Sequence, residues 1–219
     1  MCCRSTIDRI LLLGNGGHCS VVIESLRRMC PDAVIGLVAK DGSSAPSELD
    51  VPIVGCDQDV PRLFREGWRK AFVTLGSIGH PETRIRLASM LKVIGFELPG
   101  IIDPTASVSR SAQVGEGVFI GPQAAVNAQA VIGANAIINT GAIVEHQCRV
   151  EDFVHVAPAA VLCGGVRVGY GAHIGARAVV KQGLSIGEKT IIGLGSVVTR
   201  DIPAGVVAYG CPCVPYETK

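Results

Sequence analysis

The chain has 219 residues, of which 48% are hydrophobic, and its formal net charge is +1. This length suits one or two domains, and the near-neutral charge, without a cluster of Lys and Arg, excludes the basic surface that a nucleic-acid or anionic-membrane partner requires. The apolar runs are too short to span a bilayer and the first residues lack the apolar core of a signal peptide, so we expect a cytoplasmic protein that acts on small molecules.

The first part of the chain alternates strand and helix patterns. The sequence predicts an apolar strand at 10–13, an amphipathic helix after a Gly-rich turn, and a second strand in AVIGLVA at 33–39. A further strand is predicted at 72–75, followed by a helix with Pro81 and Glu82 in its first turn. This alternation indicates an α/β, Rossmann-like domain with a small parallel sheet, which we assign to residues 1–100.

The turn after the first strand reads Gly-Asn-Gly-Gly-His-Cys at 14–19. It carries the first two glycines of the dinucleotide-binding pattern G-x-G-x-x-G, but Cys19 replaces the third. Exposed backbone N–H groups at a helix N-terminus favour an anion such as a phosphate. The turn is therefore either a phosphate-binding loop or a tight turn that binds nothing.

The second part of the chain repeats with a period of six residues. Six is neither the helical nor the strand period; it is the hexapeptide repeat of a parallel β-helix, in which each coil buries its core only by stacking on its neighbours. We therefore predict a β-helix of between five and six coils at residues 101–219. The repeat is carried by aliphatic residues, called stations here, at Ile102, Val108, Val114, Ile120, Val126, Ile132, Ile138, Val144, Val150, Val156, Leu162, Val168, Ile174, Val180, Ile186, Ile192 and Val198.

The position of a residue within the hexapeptide, called its slot here and counted from the preceding station, predicts where its side chain lies. Proline recurs two residues after a station, as at Pro104 and Pro122, and this indicates a turn because proline has no N–H to give to a ladder. His146 occupies the same slot, so we expect it to project from a corner. His155 and His173 share another slot one full coil apart and are expected to stack on the same face of adjacent layers.

The cysteines argue against disulfides and against a zinc site. Their number, nine, is odd, and none has the C-x2-C spacing of a zinc ligand pair. We expect reduced thiols and no bound metal.

The whole chain resembles the sugar O- and N-acetyltransferases of the sialic acid O-acetyltransferase and PglD type, within the hexapeptide (left-handed β-helix) acyltransferases. The resemblance is carried by LLLGNGGHCSVV, GFELPGIIDPTASVS, VEHQCRVEDFVHVAPAAVLCGGVRVG and IPAGVVAYGCP. It implies an acetyl-CoA-dependent N-acetyltransferase that acts on the amino group of a nucleotide-linked 4-amino-sugar in glycan biosynthesis. It also implies a left-handed β-helix and a homotrimer that binds acetyl-CoA between neighbouring copies.

The same resemblance implies roles for individual residues. His146 matches the general base of a direct transfer, and a neutral imidazole is suited to take the proton that an amine loses when it attacks a thioester. His155 matches a histidine that contacts acetyl-CoA. The other assignments are the acetyl-CoA groove at Gly164, Ala176 and Ser185, and the nucleotide-sugar loop at Asn15, Gly16 and Gly17.

Two positions depart from the PglD pattern. Gln147 stands where the family has an acidic residue after the base. An amide can fix an imidazole tautomer but cannot stabilise an imidazolium as a carboxylate does, so Gln147, Glu145 or an acidic residue of a neighbouring chain must orient the base. Lys40 follows the second strand, where the family often has an acidic pair; it either meets a phosphate of the substrate or is a solvated lysine.

Other functions stay open at this stage. A sialic-acid-type sugar O-acetyltransferase uses the same base and thioester. A γ-class carbonic anhydrase also uses a trimeric left-handed β-helix, but its zinc requires three histidines with one close pair, unlike the spacing here. A nucleotide-binding oxidoreductase rests on the first domain alone, and a non-catalytic trimeric scaffold would need only the prism. The sequence specifies neither the sugar nor the nucleotide.

Overall fold

The computed structural model describes residues 7–40 and 50–216. They separate into two compact units: the first extends to Gly76 and resumes at Glu82–Ile101, and the second comprises Ser77–Pro81 and all described residues from Ile102 onward. The segment Ser77–Pro81, which the sequence analysis included in residues 1–100, thus belongs to the second unit. Within the described ranges, no helix has both the length and the apolar character needed to cross a membrane.

The first unit contains a parallel four-stranded sheet with the order β3-β2-β1-β4. Its strands are Arg9–Leu13 (β1), Val34–Val38 (β2), Ile53–Gly55 (β3) and Lys70–Val73 (β4). Its helices are Gly17–Met29 (α1), Val60–Arg65 (α2), which follows a 3-10 turn at Asp57–Asp59, and Glu82–Ile94 (α3). The Rossmann-like prediction is confirmed.

The strand predicted at 72–75 is wrong in its bounds, because β4 begins at Lys70 and ends at Val73. Its extent is set by the central strand β1, with which it pairs from Ile10↔Lys70 to Leu13↔Val73. The predicted helix begins at Glu82, so Pro81 precedes it. Strand β3 and helix α2 were not predicted, since they are too short to show a clear period.

The second unit is a left-handed parallel β-helix, as predicted. Every station is the second residue of a two-residue strand. These strands, β5 to β21, are Ile101–Ile102, Ser107–Val108, Gln113–Val114, Phe119–Ile120, Ala125–Val126, Val131–Ile132, Ile137–Ile138, Ile143–Val144, Arg149–Val150, His155–Val156, Val161–Leu162, Arg167–Val168, His173–Ile174, Val179–Val180, Ser185–Ile186, Ile191–Ile192 and Val197–Val198. An antiparallel hairpin of Val207–Gly210 (β22) and Cys213–Pro215 (β23) closes the last coil.

The strands stack into three sheets, which form the faces of the prism. Face B contains β5, β8, β11, β14, β17, β20, β22 and β23; face C contains β6, β9, β12, β15, β18 and β21; face D contains β7, β10, β13, β16 and β19. The chain passes from face C to face D through turns such as 145–148 and 163–166, which form corner CD. It passes from face B to face C through turns such as 157–160 and 175–178, which form corner BC.

The interior of the prism explains the composition of the repeat. Stations such as Val144 and Leu162 are fully buried, and so are the small residues that lie four positions later, such as Cys148. A Cβ added to Gly175, which directly follows a station, would lie 2.5 Å from the backbone nitrogen of Leu194 in the next coil. At Gly175 the next coil approaches too closely for a side chain, so the glycine is required at this position.

Candidate active site

His146 lies in the turn between β12 and β13, at corner CD, and its side chain is exposed. Its backbone carbonyl accepts a hydrogen bond from the N–H of Gly165 in the next coil, at 2.9 Å, and its backbone N–H donates to Oε2 of Glu145, at 3.3 Å. The corner is therefore held by contacts on both sides of the residue. The predicted projection of His146 from a corner is confirmed.

The imidazole of His146 lies directly over Gly164. A Cβ at Gly164 would be 2.6 Å from both Cε1 and Nε2 of the ring, so only a glycine fits beneath it. Nδ1 lies 3.3 Å from Oε1 of Gln147. Because an amide oxygen can only accept, this contact favours the tautomer with the proton on Nδ1, which leaves the lone pair of Nε2 at the exposed corner. This is the tautomer that a general base requires.

Corner CD also provides an available backbone donor. Among the backbone hydrogen bonds of residues 7–40 and 50–216, Gly165 and Cys163 donate to the neighbouring coils, but the N–H of Gly164 does not take part. An N–H next to a base is suited to stabilise an oxyanion. The corner therefore combines a proton acceptor with a hydrogen-bond donor.

Cys148 is not available as a nucleophile at this corner. Its side chain is fully buried, and its thiol lies 3.2 Å from the carbonyl oxygen of Cys163. Burial raises the pKa of this thiol, so it stays protonated. The seven described cysteines are all free; Cys2 and Cys3 lie outside the described residues. Within the described part of the chain, no group of three or more His, Cys, Asp or Glu is placed to hold a metal ion.

His155 and His173 stack on face B, as predicted. They are directly paired in neighbouring strands, and their rings meet edge to face with centroids 4.9 Å apart. Burial lowers the pKa of His173 from 6.5 to about 4, and the Ser77 backbone opposes this shift only in part. His173 is therefore neutral at physiological pH.

His155 is held on both ring nitrogens. Its Nδ1 lies 2.7 Å from the carbonyl oxygen of Ser77, to which it donates, and its Nε2 lies 3.1 Å from Nδ2 of Asn139. The side chain is only 8% exposed. The segment Ser77–Pro81 thus covers this part of face B, and sequence reasoning did not predict that cover.

The predicted acetyl-CoA residues occupy different parts of the prism. Gly164 lies at corner CD beside His146, and Ser185 lies on face D, which begins at that corner. Ala176 lies at corner BC, and His155 lies on face B. In a three-sided prism, corner CD is opposite face B. Within one chain the structure therefore brings Gly164 and Gln147 to His146, but it does not bring His155 there.

The predicted nucleotide-sugar residues gather at one edge of the first unit. Asn15, Gly16 and Gly17 follow β1, and Lys40 follows its neighbour β2, so all lie at the carboxyl ends of adjacent parallel strands. This edge is where ligands bind in open α/β sheets. A Cβ added to Gly16 or Gly17 would meet nothing within 4 Å, so the loop is open to a ligand.

Sequence reasoning missed a buried cation near this loop. Arg84, in the first turn of α3, is 4% exposed, and burial lowers its pKa to about 10. Burial, together with the charge of Arg84, lowers the pKa of His18 to about 4. The signal was present, because 84 shares the helical face of the buried residues Leu87, Ala88 and Leu91. Asn139, at corner BC, carried no comparable signal.

Three families match the chain. Residues 9–91 match the PglD N-terminal domain, residues 111–146 match the bacterial transferase hexapeptide (six repeats), and residues 165–200 match the hexapeptide repeat of succinyl-transferase. A comparison with curated protein sequences gave no match.

Solved structures match over nearly the whole chain. A histidine variant of perosamine N-acetyltransferase from Caulobacter crescentus, in complex with CoA and GDP-perosamine, is 41% identical, covers 97% of this chain and 99% of its own, and has a TM-score of 0.90. The acetyltransferase domain of PglB from Neisseria gonorrhoeae FA1090, in complex with acetyl coenzyme A, is 30% identical, with coverage of 95% and 99% and a TM-score of 0.85. The chain belongs to the PglD-type sugar acetyltransferases of the hexapeptide superfamily.

Proposed function

We propose that this protein transfers an acetyl group from acetyl-CoA to the amino group of a nucleotide-linked 4-amino-sugar. The observation that carries this proposal is the exposed His146, with Nε2 free and a glycine beneath it, in a chain that matches perosamine N-acetyltransferase over 97% of its length. That relative binds CoA and GDP-perosamine. We therefore expect a GDP-linked amino-sugar to be the preferred acceptor here.

In the proposed mechanism His146 is the general base. The amine of the sugar attacks the thioester carbon, Nε2 accepts the proton that the amine loses, and Gln147 keeps the other ring nitrogen protonated. The N–H of Gly164 donates to the oxyanion of the tetrahedral intermediate. The C–S bond then breaks, the imidazolium of His146 returns its proton to the sulfur, and CoA leaves as the thiol. No acyl-enzyme forms, because the buried thiol of Cys148 does not take part.

The acceptor is proposed to bind at the loop Asn15–Gly17. Its exposed glycines at the start of α1 suit the diphosphate of a nucleotide-sugar. Lys40, at the neighbouring strand end, is proposed to contact the same phosphates. Both co-substrates are cytoplasmic metabolites, so we propose a cytoplasmic location.

We propose that the active site is completed by a second copy of the chain in a homotrimer. Face C carries an outward apolar row that is only partly buried, and a row of this kind favours contact with another protein surface. If three copies pack through face C, corner CD of one copy comes beside corner BC of the next, which places His146 near His155 and Ala176 of that neighbour. The row comprises Ala125, Ile143, Val161, Val179 and Val197.

The acceptor is tested by offering acetyl-CoA to the purified protein with GDP-, UDP- or dTDP-linked 4-amino-sugars, or with sialic acid, and by measuring CoA release. We expect the GDP-linked amine to have the highest kcat/KM. The variant His146→Ala should lose activity by about 100-fold or more. Preferred acetylation of sialic acid, or full activity of the variant, would overturn the proposal.

The shared site is tested with mixed trimers. His146→Ala and His155→Ala should each be inactive alone, but co-expressed chains should regain activity at interfaces that combine one intact residue from each. Random mixing of equal amounts should restore about a quarter of the wild-type activity. Val161→Asp should give an inactive monomer by light scattering. Absence of any rescue in verified mixed trimers would show that the two histidines do not serve one site.

A further inference from the structure

We propose that residues Ser77–Pro81, called the strap here, position His155 and thereby set the affinity for acetyl-CoA. The strap and His155 both belong to the second unit. The inference rests on the proposed function, in which His155 of one copy lies near His146 of the next. It assigns a role to a segment that lies outside the hexapeptide repeat.

The strap determines which ring nitrogen of His155 carries the proton. Nδ1 lies 2.7 Å from the carbonyl oxygen of Ser77. Because a carbonyl oxygen can only accept a hydrogen bond, Nδ1 is the protonated nitrogen, and Nε2 is left as an acceptor. This contact exists only while the strap lies on face B.

Asn139 orients the same ring from its other nitrogen. Oδ1 of Asn139 accepts from the backbone N–H of Thr140, at 2.8 Å, so its Nδ2 is directed toward Nε2 of His155, at 3.1 Å. The hydrogen bonds therefore run in one direction, from Thr140 through Asn139 and His155 to Ser77. If Ser77 moves away, Nδ1 loses its acceptor and the tautomer with the proton on Nε2 becomes accessible.

The strap is held against face B by a close contact at Gly79. A Cβ at Gly79 would lie 2.0 Å from Cδ1 and 2.3 Å from Cγ1 of Ile191, and the φ of Gly79 is +72°. Ile191 lies on face B two coils beyond His155, since His155 pairs with His173 and His173 pairs with Ile191. No side chain fits at Gly79 unless the strap or Ile191 moves.

The strap presents one side to the prism along its whole length. Ser77 and Gly79 are half-buried and Pro81 is buried, whereas Ile78 and His80 are exposed. The ring of Pro81 is also close to the next corner, because a Cβ at Gly171 would lie 3.1 Å from its Cγ. Such an alternation is typical of an extended segment that is covered on one side. The strap is therefore a packed element with contacts at its ends and its centre.

The burial of His155 makes its orientation important for binding. His155 is only 8% exposed, and the ring of His173 packs against it edge to face, with centroids 4.9 Å apart. Only a small part of the side chain can therefore meet a ligand. Ser77 acts through His155, as a positioning residue, by deciding which part of the ring that is.

The test moves the strap with the variant Gly79→Ala and follows His155 by NMR. The chain has only five histidines, so isotopically labelled histidine gives few ring signals, and His155→Ala identifies the relevant one. In the wild type we expect the proton of His155 on Nδ1. In Gly79→Ala we expect it to be distributed between Nδ1 and Nε2, because Ser77 no longer accepts from Nδ1.

Steady-state kinetics on the same proteins measure the consequence for the cofactor. The KM for acetyl-CoA should rise about five- to tenfold in Gly79→Ala, which is the effect of losing about one hydrogen bond. The kcat should stay within about twofold of the wild type, because His146 and Gly164 lie at corner CD, opposite face B. A purely structural role of the strap would leave the tautomer of His155 unchanged.

Two controls separate the position of the strap from other effects of the added methyl group. Gly205→Ala places alanine at a similar φ of +71°, but its Cβ would meet nothing within 4 Å, so the tautomer and the KM should stay as in the wild type. Ile191→Ala removes the side chain that a Cβ at Gly79 would strike. The double variant of Gly79→Ala and Ile191→Ala should therefore regain the wild-type tautomer and KM.

Three results would overturn the inference. They are a wild-type His155 with its proton on Nε2, a Gly79→Ala variant with an unchanged KM for acetyl-CoA, and a double variant as defective as Gly79→Ala alone. None of them would affect the proposed function, which the acetylation activity of the wild type tests separately.

Discussion

Replacing Gly164 by alanine should disable the active site without unfolding the protein. The added Cβ would lie 2.6 Å from Nε2 and Cε1 of His146, whereas ordinary van der Waals contact begins near 3.4 Å. The ring must therefore move by roughly 1 Å, and a displacement of that size at a catalytic group costs about 100-fold in rate. We expect kcat/KM to fall by about that factor.

The stability of the Gly164→Ala variant should change little. The backbone at Gly164 is not in the left-handed region, and Ala128 occupies the equivalent position two coils earlier. The displaced ring of His146 is exposed and can turn toward solvent. We expect the Tm to stay within about 2 °C of the wild type.

The assay is CoA release at saturating acceptor, measured for the wild type, both single variants and the double variant of Gly164→Ala and His146→Ala. If the added methyl group acts only by displacing the imidazole, the double variant should have the same kcat/KM as His146→Ala alone. Normal activity of Gly164→Ala, or an equal loss with and without His146, would refute the reasoning.

Three further changes test other parts of the molecule. Gln147→Glu should shift the acid limb of the pH–rate profile to higher pH, because a carboxylate beside Nδ1 stabilises the imidazolium. In the folded protein the pKa of His173 is about 4, below its ordinary value of 6.5, so the unfolded chain binds the proton first as the pH falls. This histidine therefore lowers the free energy of unfolding between pH 6.5 and pH 4, by about 2 kcal/mol at pH 5. His173→Phe should remove that loss of stability. Gly175→Ala should lower the free energy of unfolding by about 2–3 kcal/mol, because its Cβ would meet the backbone of Leu194 at 2.5 Å.

Each change has its own measurement and control. Gln147→Ala should lower activity without moving the acid limb upward, and an unmoved limb in Gln147→Glu would contradict the role of this side chain. Urea unfolding at pH 8 and pH 5 tests His173→Phe. The free energies of unfolding at the two pH values should differ less in this variant than in the wild type. Asn127→Ala, in the slot of Gly175 but with a Cβ already present, should change stability by less than about 0.5 kcal/mol.

The sequence by itself determined the β-helix and the corner position of His146. The period of six is repeated at seventeen stations, and each coil needs only its immediate neighbours, so a local pattern specifies the stacking. His146 was predictable at a corner because the same slot elsewhere holds proline. The Gly-rich turn was predictable because strand, turn and helix follow directly in the chain.

Only the tertiary structure decided what lies against these residues. The carbonyl of Ser77 reaches His155 across 78 positions of sequence, and no period records such a contact. The bounds of β4 depended on its partner β1, and the burial of Arg84 depended on how α3 packs. His155 and His146 fell on a face and its opposite corner because the prism has three sides. A repeating sequence specifies how each coil stacks on its neighbours. It does not specify which distant segments pack against the coils, because those contacts form only between folded surfaces.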